Sequence, residues 1–333
     1  MANTKINATG WYQKVLRIFT RSKTPIASLI LLYVLMIVIF ASFSPHYLTV
    51  GNFRSIFNNL ARFGILSAGI TIVMIGGGFD LSIGSAMGLI GTICAVIMLQ
   101  FPFVPVGVVM VIAALVGCFL GLINGVIITK IGINPIITTL GTLAIFRGVA
   151  FFWAHLNVRI YSRVWDAVGR TFIAGTIPLT TVYIVVIFVI LALVLKFTRF
   201  GRNLYTIGGN EYLAKLAGIK VDRTKIASYV ISGFFAGLAA IVLTSQLGSG
   251  RPEYGSGAEL EVLTIVVLGG VTVGGGKGNF LGTFIALVII GSISNGLVLL
   301  DVPIFLRMVV KGGLLVLAVS IDALRNRKRL QLY

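Results

Sequence analysis

Apolar residues in this chain run on for about 15 to 25 positions at a time and stop at short polar breaks, without the alternation of a strand or the narrow stripe of a soluble helix. The runs fall at about 26–43, 59–76, 81–99, 104–128, 134–153, 179–197, 226–246, 258–272, 279–299 and 303–322. A helix needs roughly 20 apolar residues to cross about 30 Å of hydrocarbon. The pattern therefore predicts an all-α polytopic membrane protein with about ten transmembrane helices. One transmembrane domain, 26–322, is expected between basic tails at 1–25 and 323–333, with no room for a separate soluble domain.

Composition agrees. Of 333 residues 57% are hydrophobic and 11% charged, and the mean hydropathy is +1.04, far above what a soluble core of this size requires. The formal charge of +18 is clustered. Lys5, Lys14, Arg17, Arg21 and Lys23 precede the first span. Lys196, Arg199, Arg202, Lys215, Lys220, Arg223 and Lys225 crowd one central loop, and Arg325, Arg327, Lys328 and Arg329 end the chain. These clusters read as positive-inside topology signals, not as a nucleic-acid surface. They put both termini and the central loop 198–225 on the cytoplasmic side of a multi-pass membrane protein. The same count sends 154–178 outside despite Arg159, Arg163 and Arg170. The first apolar run lacks a small-residue cleavage site after it and reads as an uncleaved anchor. Cys94 and Cys118 lie in apolar runs and are expected to be reduced, buried small residues.

An offset of 171 residues aligns Gly84-Ser85 with Gly255-Ser256, Gly107 with Gly278, Asn124-Gly125 with Asn295-Gly296, and Gly141 with Gly312. It relates spans 2–5 to spans 7–10. Five crossings separate equivalent helices, so the halves would be oppositely oriented, an inverted repeat of the kind many transporters use. Chance matching in glycine-rich apolar sequence is the competing explanation. TIVMIGG at 71–77 and TIVVLGG at 264–270 match at a different offset.

Two glycine-rich breaks and the central loop carry the candidate chemistry. GGGFDLSIGS, Gly76 to Ser85, interrupts a helix with an aspartate and two serines. Freed backbone at membrane depth must face protein or a water-filled cavity, which makes Asp80 and Ser82 candidates for a solute path or gate. The alternative is a tight surface loop in which Asp80 caps the next helix. GGVTVGGGKGN, Gly269 to Asn279, fails as a Walker loop: Val271 stands where the first glycine belongs, and Gly278 replaces the hydroxyl residue. The chain has no nucleotide motif of its own, so if transport is ATP-driven the ATPase is another polypeptide. In the central loop, Glu211 to Ala217 predicts a short helix capped by Asn210 and ended by Gly218, suited to receive force from a peripheral motor protein.

Polar residues within the spans are few: Arg62, Asn124, Asn134, Thr138, Thr139, Arg147, Asn295, Arg307 and Lys311, with Asp80 nearly alone as a carboxylate. An ion-coupled carrier would be expected to hold more. The candidates for a substrate pathway or gate are Asp80, Ser82, Asn124, Asn134, Thr138, Thr139, Arg147 and Asn295. Arg147 is placed near the outer boundary, where snorkelling to lipid phosphate competes with a pore role. Phe63, Phe146, Phe234 and Phe235 could line a solute path or simply pack. His46 and His155 have no partner at metal spacing, no catalytic or metal site emerges, and no cofactor is expected on this chain.

At these residues the chain resembles permeases of the ABC sugar-importer family that handles ribose, xylose, arabinose and related carbohydrates. GGGFDLSIGS is similar to that family's GG-x-DLS-x-GS element, and INPIITTLGTLAIFRG at 133–148 to its fifth-span pattern. GRNLYTIGGNEYLAKLAGIKVDRTKI at 201–226 resembles its central loop, and VVLGGVTVGGGKGNFLGT at 266–283 its second glycine-rich element. Order and spacing agree over roughly 48–322. Phe79 departs from the smaller aliphatic residue usual before DLS, and Tyr212 and Lys215 from the commoner acidic-alanine run. The resemblance implies a type II ABC importer-like fold. It also implies a second permease copy (homodimer or related heterodimer), cytoplasmic ATP-binding subunits that hold ATP and Mg, and an extracytoplasmic sugar-binding protein. The coupling loop would then carry Gly201, Arg202, Gly208, Gly209, Asn210, Glu211, Leu213, Leu216 and Gly218. The function implied is a translocation path for a pentose- or hexose-class sugar. Permeases for branched-chain amino acids or nucleosides, and a self-contained secondary transporter, are the alternatives.

Overall fold

The computed structural model describes residues 25–330. The predicted basic tail at the N-terminus lies outside them. In chain order the helices are α1 (Pro25–Phe43), α2 (Val50–Ile75), α3 (Ile83–Gln100), α4 (Val106–Val126, prolonged by a π-turn over Ile127–Ile131), α5 (Pro135–Trp153), α6 (Arg163–Arg170), α7 (Leu179–Phe197), α8 (Arg199–Gly209), α9 (Glu211–Leu216), α10 (Val221–Leu247), α11 (Ala258–Leu268), α12 (Phe280–Leu299) and α13 (Ile304–Leu330). Four two-residue strands, β1 (Val158–Arg159), β2 (Phe172–Ile173), β3 (Ile177–Pro178) and β4 (Ser249–Gly250), form two small ladders.

Seven helices among the described residues are long and apolar enough to cross a membrane: α2, α3, α4 with its π-turn, α5, α7, α10 and α12. The other three expected spans coincide with α1, whose apolar stretch Leu29–Phe43 is shorter, the 11-residue α11, and α13. α11 is short because Gly269 and Gly270 end it, Gly270 at φ +92°. The tail expected from residue 323 is helical in its backbone as far as Leu330, because α13 does not stop at the last apolar residue.

α2, α3 and α10 form the centre: 72%, 72% and 67% of their apolar windows are buried, against 28% for α4, α5 and α7. An apolar helix exposed on most of its surface belongs against lipid. α4 approaches α10 backbone to backbone. Gly117, Gly121 and Gly125 recur every four residues, and a Cβ on Gly117 or Gly121 would overlap the carbonyls of Gly233 and Tyr229. Lipid tails are as apolar as leucine, so membrane helices gain from packing alone, and small residues permit the closest packing.

At one end of the bundle, residues 154–178 are more ordered than a loop. β1 pairs antiparallel with β4, Val158 opposite Gly250 and Arg159 opposite Ser249. α6 seats Trp165 in the core and is held by Ser245, whose Oγ donates to the Trp165 carbonyl (2.5 Å) and accepts from Gly169 N (2.7 Å). β2 and β3 form a hairpin with Ala174 and Gly175 at positive φ, the conformation that tight hairpins favour. The opposite end carries α8, α9, the second glycine-rich break and the start of the first at Gly76 and Gly77. Cys94 and Cys118 are free thiols. Cys94 is buried as expected, but Cys118 is only half-buried because α4 turns that face outward.

Candidate functional site

The first glycine-rich break is a polar knot inside the bundle. α2 ends at Gly76, and Gly77 turns the chain at φ +78°. The next residues carry Asp80 into the interior, where it is 3% exposed. One carboxylate oxygen accepts from Ser82 N (3.1 Å) and Ser82 Oγ (2.6 Å), the other from Ser232 Oγ (2.8 Å). Ser82 Oγ in turn accepts from Asn124 Nδ2 (2.8 Å), and the Tyr229 hydroxyl donates to the Phe79 carbonyl (3.0 Å). A buried carboxylate is tolerated only when such donors replace its water. Ser232 lies eleven residues into α10, roughly 16 Å along that helix. Asp80 therefore sits at the depth of the helix interior. Its bond to Ser82 N also shapes the entry to α3, so the local turn exists, but not at a surface.

A small space beside this network is lined by Asp80, Ser82, Asn124, Phe146 and Gly233, among others. Asn124 Oδ1 is buried there with no hydrogen-bond partner among the described residues. Asp80, Ser82 and Asn124 are thus brought together from α3's approach and α4. The other pathway candidates make separate contacts. Asn134 caps α5 (Oδ1 to Ile136 N, 2.9 Å) and Thr139 bonds back to the Pro135 carbonyl (2.8 Å). The hydroxyl of Thr138 and Oδ1 of Asn295 are buried without partners among the described residues. Arg147 donates to the carbonyls of Pro252 and Tyr254, the latter at 2.9 Å, so its guanidinium ties α5 to the segment before α11. Phe146 faces the Asp80 space, whereas Phe234 stacks edge-on with Phe235.

Ser232 and Tyr229 escape a sequence reading that attends to breaks and charges. The available signal is their position beside Gly233 and Gly237 on the face of α10 that meets α4. Asp80 is also not nearly alone. Glu261, in the first turn of α11, has a side chain 9% exposed and pairs with Lys311 of α13 at 2.7 Å, with Ser294 Oγ at 3.4 Å. Glu261 falls within the expected span 258–272 and is a second carboxylate within the bundle in addition to Asp80.

The central segment holds two helices where one was expected. α8 begins at Thr198, whose Oγ1 accepts from Gly201 N (3.3 Å), and buries Gly201, Leu204 and Ile207 while Arg202 stays exposed. Asn210 caps α9 through Oδ1 and Leu213 N (3.0 Å), and Gly218 leaves it at φ +76°. Glu211 bonds Lys225 at the start of α10 and Lys215 one turn on (2.9 Å). The Lys225 ammonium holds the Glu211 carboxyl below the usual carboxylate range, with Lys215 adding to the effect, while Glu211 raises Lys215. So anchored, α9 turns Tyr212, Leu213 and Leu216 outward at 69%, 57% and 68% exposure. Isolated exposed apolar residues are ordinary, but here three lie on one six-residue helix fixed by a cap and two ion pairs.

Residues 52–319 match the family described as branched-chain amino acid transport system / permease component. The chain belongs to this permease family. It is 37% identical to the ribose import permease of Bacillus subtilis over 86% of this chain and 89% of that one. The D-allose transport system permease of Escherichia coli is 36% identical (88% and 90% covered), and the L-arabinose ABC transporter permease of Azospirillum brasilense 33% (88% and 87%). No solved structure matches the permease. Family and apolar helices together make it a multi-pass membrane transport protein. That assignment replaces the argument from scarce carboxylates, which Glu261 weakens.

Proposed function

We propose that this chain is the membrane-spanning subunit of an ATP-binding-cassette importer for a pentose- or hexose-class sugar. The observation that carries the proposal is α9. A capped, ion-paired helix with an apolar outer surface is built to be pushed by a partner, and a connector between two spans needs no such device. The partner is a cytoplasmic ATP-binding subunit that holds ATP and Mg; this chain itself hydrolyses nothing and binds no cofactor. Sugar is favoured over branched-chain amino acids or nucleosides because the relatives at 33–37% identity are named for ribose, allose and arabinose.

On this reading the chain crosses the bacterial inner membrane ten times, with both termini cytoplasmic. The breaks, the central loop and the Lys130–Asp222 pair (2.7 Å) then share the inner face. An inverted repeat is supported by the packing. α4 packs on α10 as α12 packs on α2, and α5 on α3 as α13 on α11. Gly84 and Gly255, related by the repeat, touch: a Cβ on Gly84 would lie 2.5 Å from the Gly255 carbonyl oxygen.

The solute path would run past Asp80, Ser82 and Asn124, and along α5 with Asn134, Thr138, Thr139 and Arg147. Asn295, the repeat mate of Asn124, would serve the other half. Gly141 on α5 and its mate Gly312 on α13 both face open space, which suits a second permease copy. On the outer face, Arg159, Arg163 and Arg251 are exposed and their guanidiniums make no hydrogen bond or ion pair among the described residues, whereas that of Arg170 pairs with Asp166 (3.0 Å). The three free guanidiniums fit an acidic surface on a sugar-binding protein.

The test is uptake of radiolabelled ribose, allose and arabinose into liposomes holding this chain with its ATPase and binding protein. ATP-dependent accumulation of at least one is expected. Uptake by the chain alone would overturn the subunit reading.

A further inference from the structure

Three glycine-rich segments that are far apart in sequence meet where α8 ends. The Gly276 amide donates to the Ile75 carbonyl at 2.9 Å, joining the loop after α11 to the last turn of α2. Gly208 lies between them: a Cβ there would overlap both the Ile75 carbonyl oxygen and Gly276 N. A Cβ on Gly275 would sit 2.7 Å from Gly77 Cα and 3.0 Å from Gly208 Cα, and one on Gly276 2.8 Å from Gly209 Cα. Gly77, Gly275 and Gly276 all have positive φ, at 78°, 81° and 72°, so these turns require glycine on conformational grounds as well. The loop is closed on itself by Thr272 Oγ1 donating to the Gly275 carbonyl (2.6 Å), and tied to α8 by the Tyr205 hydroxyl donating to the Gly278 carbonyl (2.8 Å).

We propose that this backbone knot of Gly77, Gly208, Gly275 and Gly276 passes movement of α9 to the Asp80 break. The inference rests on the permease reading above and names the residues through which it would act. α9 is joined to Gly208 through Gly209 and its own cap Asn210, and Gly77 is joined to Asp80 through two residues. With no side chains in the contact, no rotamer can absorb a displacement. Close-packed backbone transmits it, and elements with two discrete arrangements are how coupling crosses a protein. The glycines are positioning residues: they touch neither solute nor nucleotide.

The full importer in liposomes tests this through the ATP hydrolysed per solute delivered, measured beside co-purification of the ATPase with the permease. Gly208→Ala is expected to raise the ratio about tenfold with co-purification unchanged, and Tyr205→Phe, which removes one tether and adds no bulk, about threefold. Gly274→Ala, whose Cβ would meet nothing within 4 Å, is the matched control and should leave the ratio unchanged. If Gly208→Ala does not accumulate in the membrane, Tyr205→Phe decides. Wild-type ratios in both variants, an equal rise in Gly274→Ala, or loss of ATPase co-purification in step with uptake would each overturn the inference. Absence of ATP-dependent uptake by the unaltered importer would instead overturn the permease reading beneath it.

Discussion

Ser232 Oγ donates a 2.8 Å hydrogen bond to Asp80 Oδ2, joining the middle of α10 to a break 152 residues away in sequence. The other carboxylate oxygen is engaged by Ser82, which Asn124 braces from α4. One buried carboxyl group thus joins three elements.

Removing these donors should destabilise the bundle in a defined order. Ser232→Ala leaves Asp80 Oδ2 without its donor and should cost about 1–3 kcal/mol. Ser82→Ala leaves Asp80 Oδ1 with only the Ser82 amide and strands Asn124 Nδ2, removing two hydrogen bonds where Ser232→Ala removes one, and should cost more. Thermal unfolding of the detergent-solubilised permease measures both, and the reverse order would count against the network.

Gly121→Ala inserts a methyl group against the Tyr229 carbonyl, where α4 and α10 pack backbone to backbone. Overpacking of this kind costs about 1–3 kcal/mol. Gly107→Ala in the same helix meets open space and should be neutral or slightly stabilising. Equal melting temperatures for the two variants would show that the close approach is not needed.

Protection of α9 should depend on pH through Glu211. Its carboxyl titrates below the usual range when folded, chiefly because of Lys225. The contribution is therefore complete above the ordinary carboxylate pKa and is lost only as pH falls through the lower folded value. Hydrogen exchange of α9, corrected for intrinsic rates, should be faster in Glu211→Gln at neutral pH. The difference should vanish in acid. A difference that persists unchanged in acid would exclude the ion pairs as its source.

Charge reversal of Arg159, Arg163 and Arg251 to glutamate should weaken stimulation of ATP hydrolysis by the binding protein. The half-saturating concentration should rise about tenfold at low salt and by less at high salt, since exposed charges act mainly on encounter and are screened. An unchanged value in neutral lipid would remove these arginines from the docking surface. An effect seen only with anionic lipid would assign them to the membrane.

Much of this architecture is legible in the chain because membrane solvent enforces a simple rule. Long apolar runs must become helices, since unpaired backbone cannot face hydrocarbon. Asn210 and Gly218 identify α9 for a similarly local reason: a cap and a positive-φ terminator act on their own helix. α8 is less visible, because its polar and glycine-rich sequence is a weak helix former that becomes a helix by burying Leu204 and Ile207. Glu261 reads as an acidic residue suited to a helix N-terminus, and only the packing of α13 brings Lys311 to it.

The sequence by itself determined the helical membrane class, the two glycine breaks, the capped helix in the central loop, and the family through motifs in fixed order. These depend on residues close together in the chain or on solvent alone. Only the tertiary structure decided that Asp80 lies at the depth of the helix interior and is held by Ser232, that Arg147 is spent on the carbonyls of Pro252 and Tyr254, and that Gly77, Gly208 and Gly275 meet. A hydrogen bond or a backbone contact between distant segments depends on how helices pack, and an apolar run carries the same pattern whichever neighbour it finds.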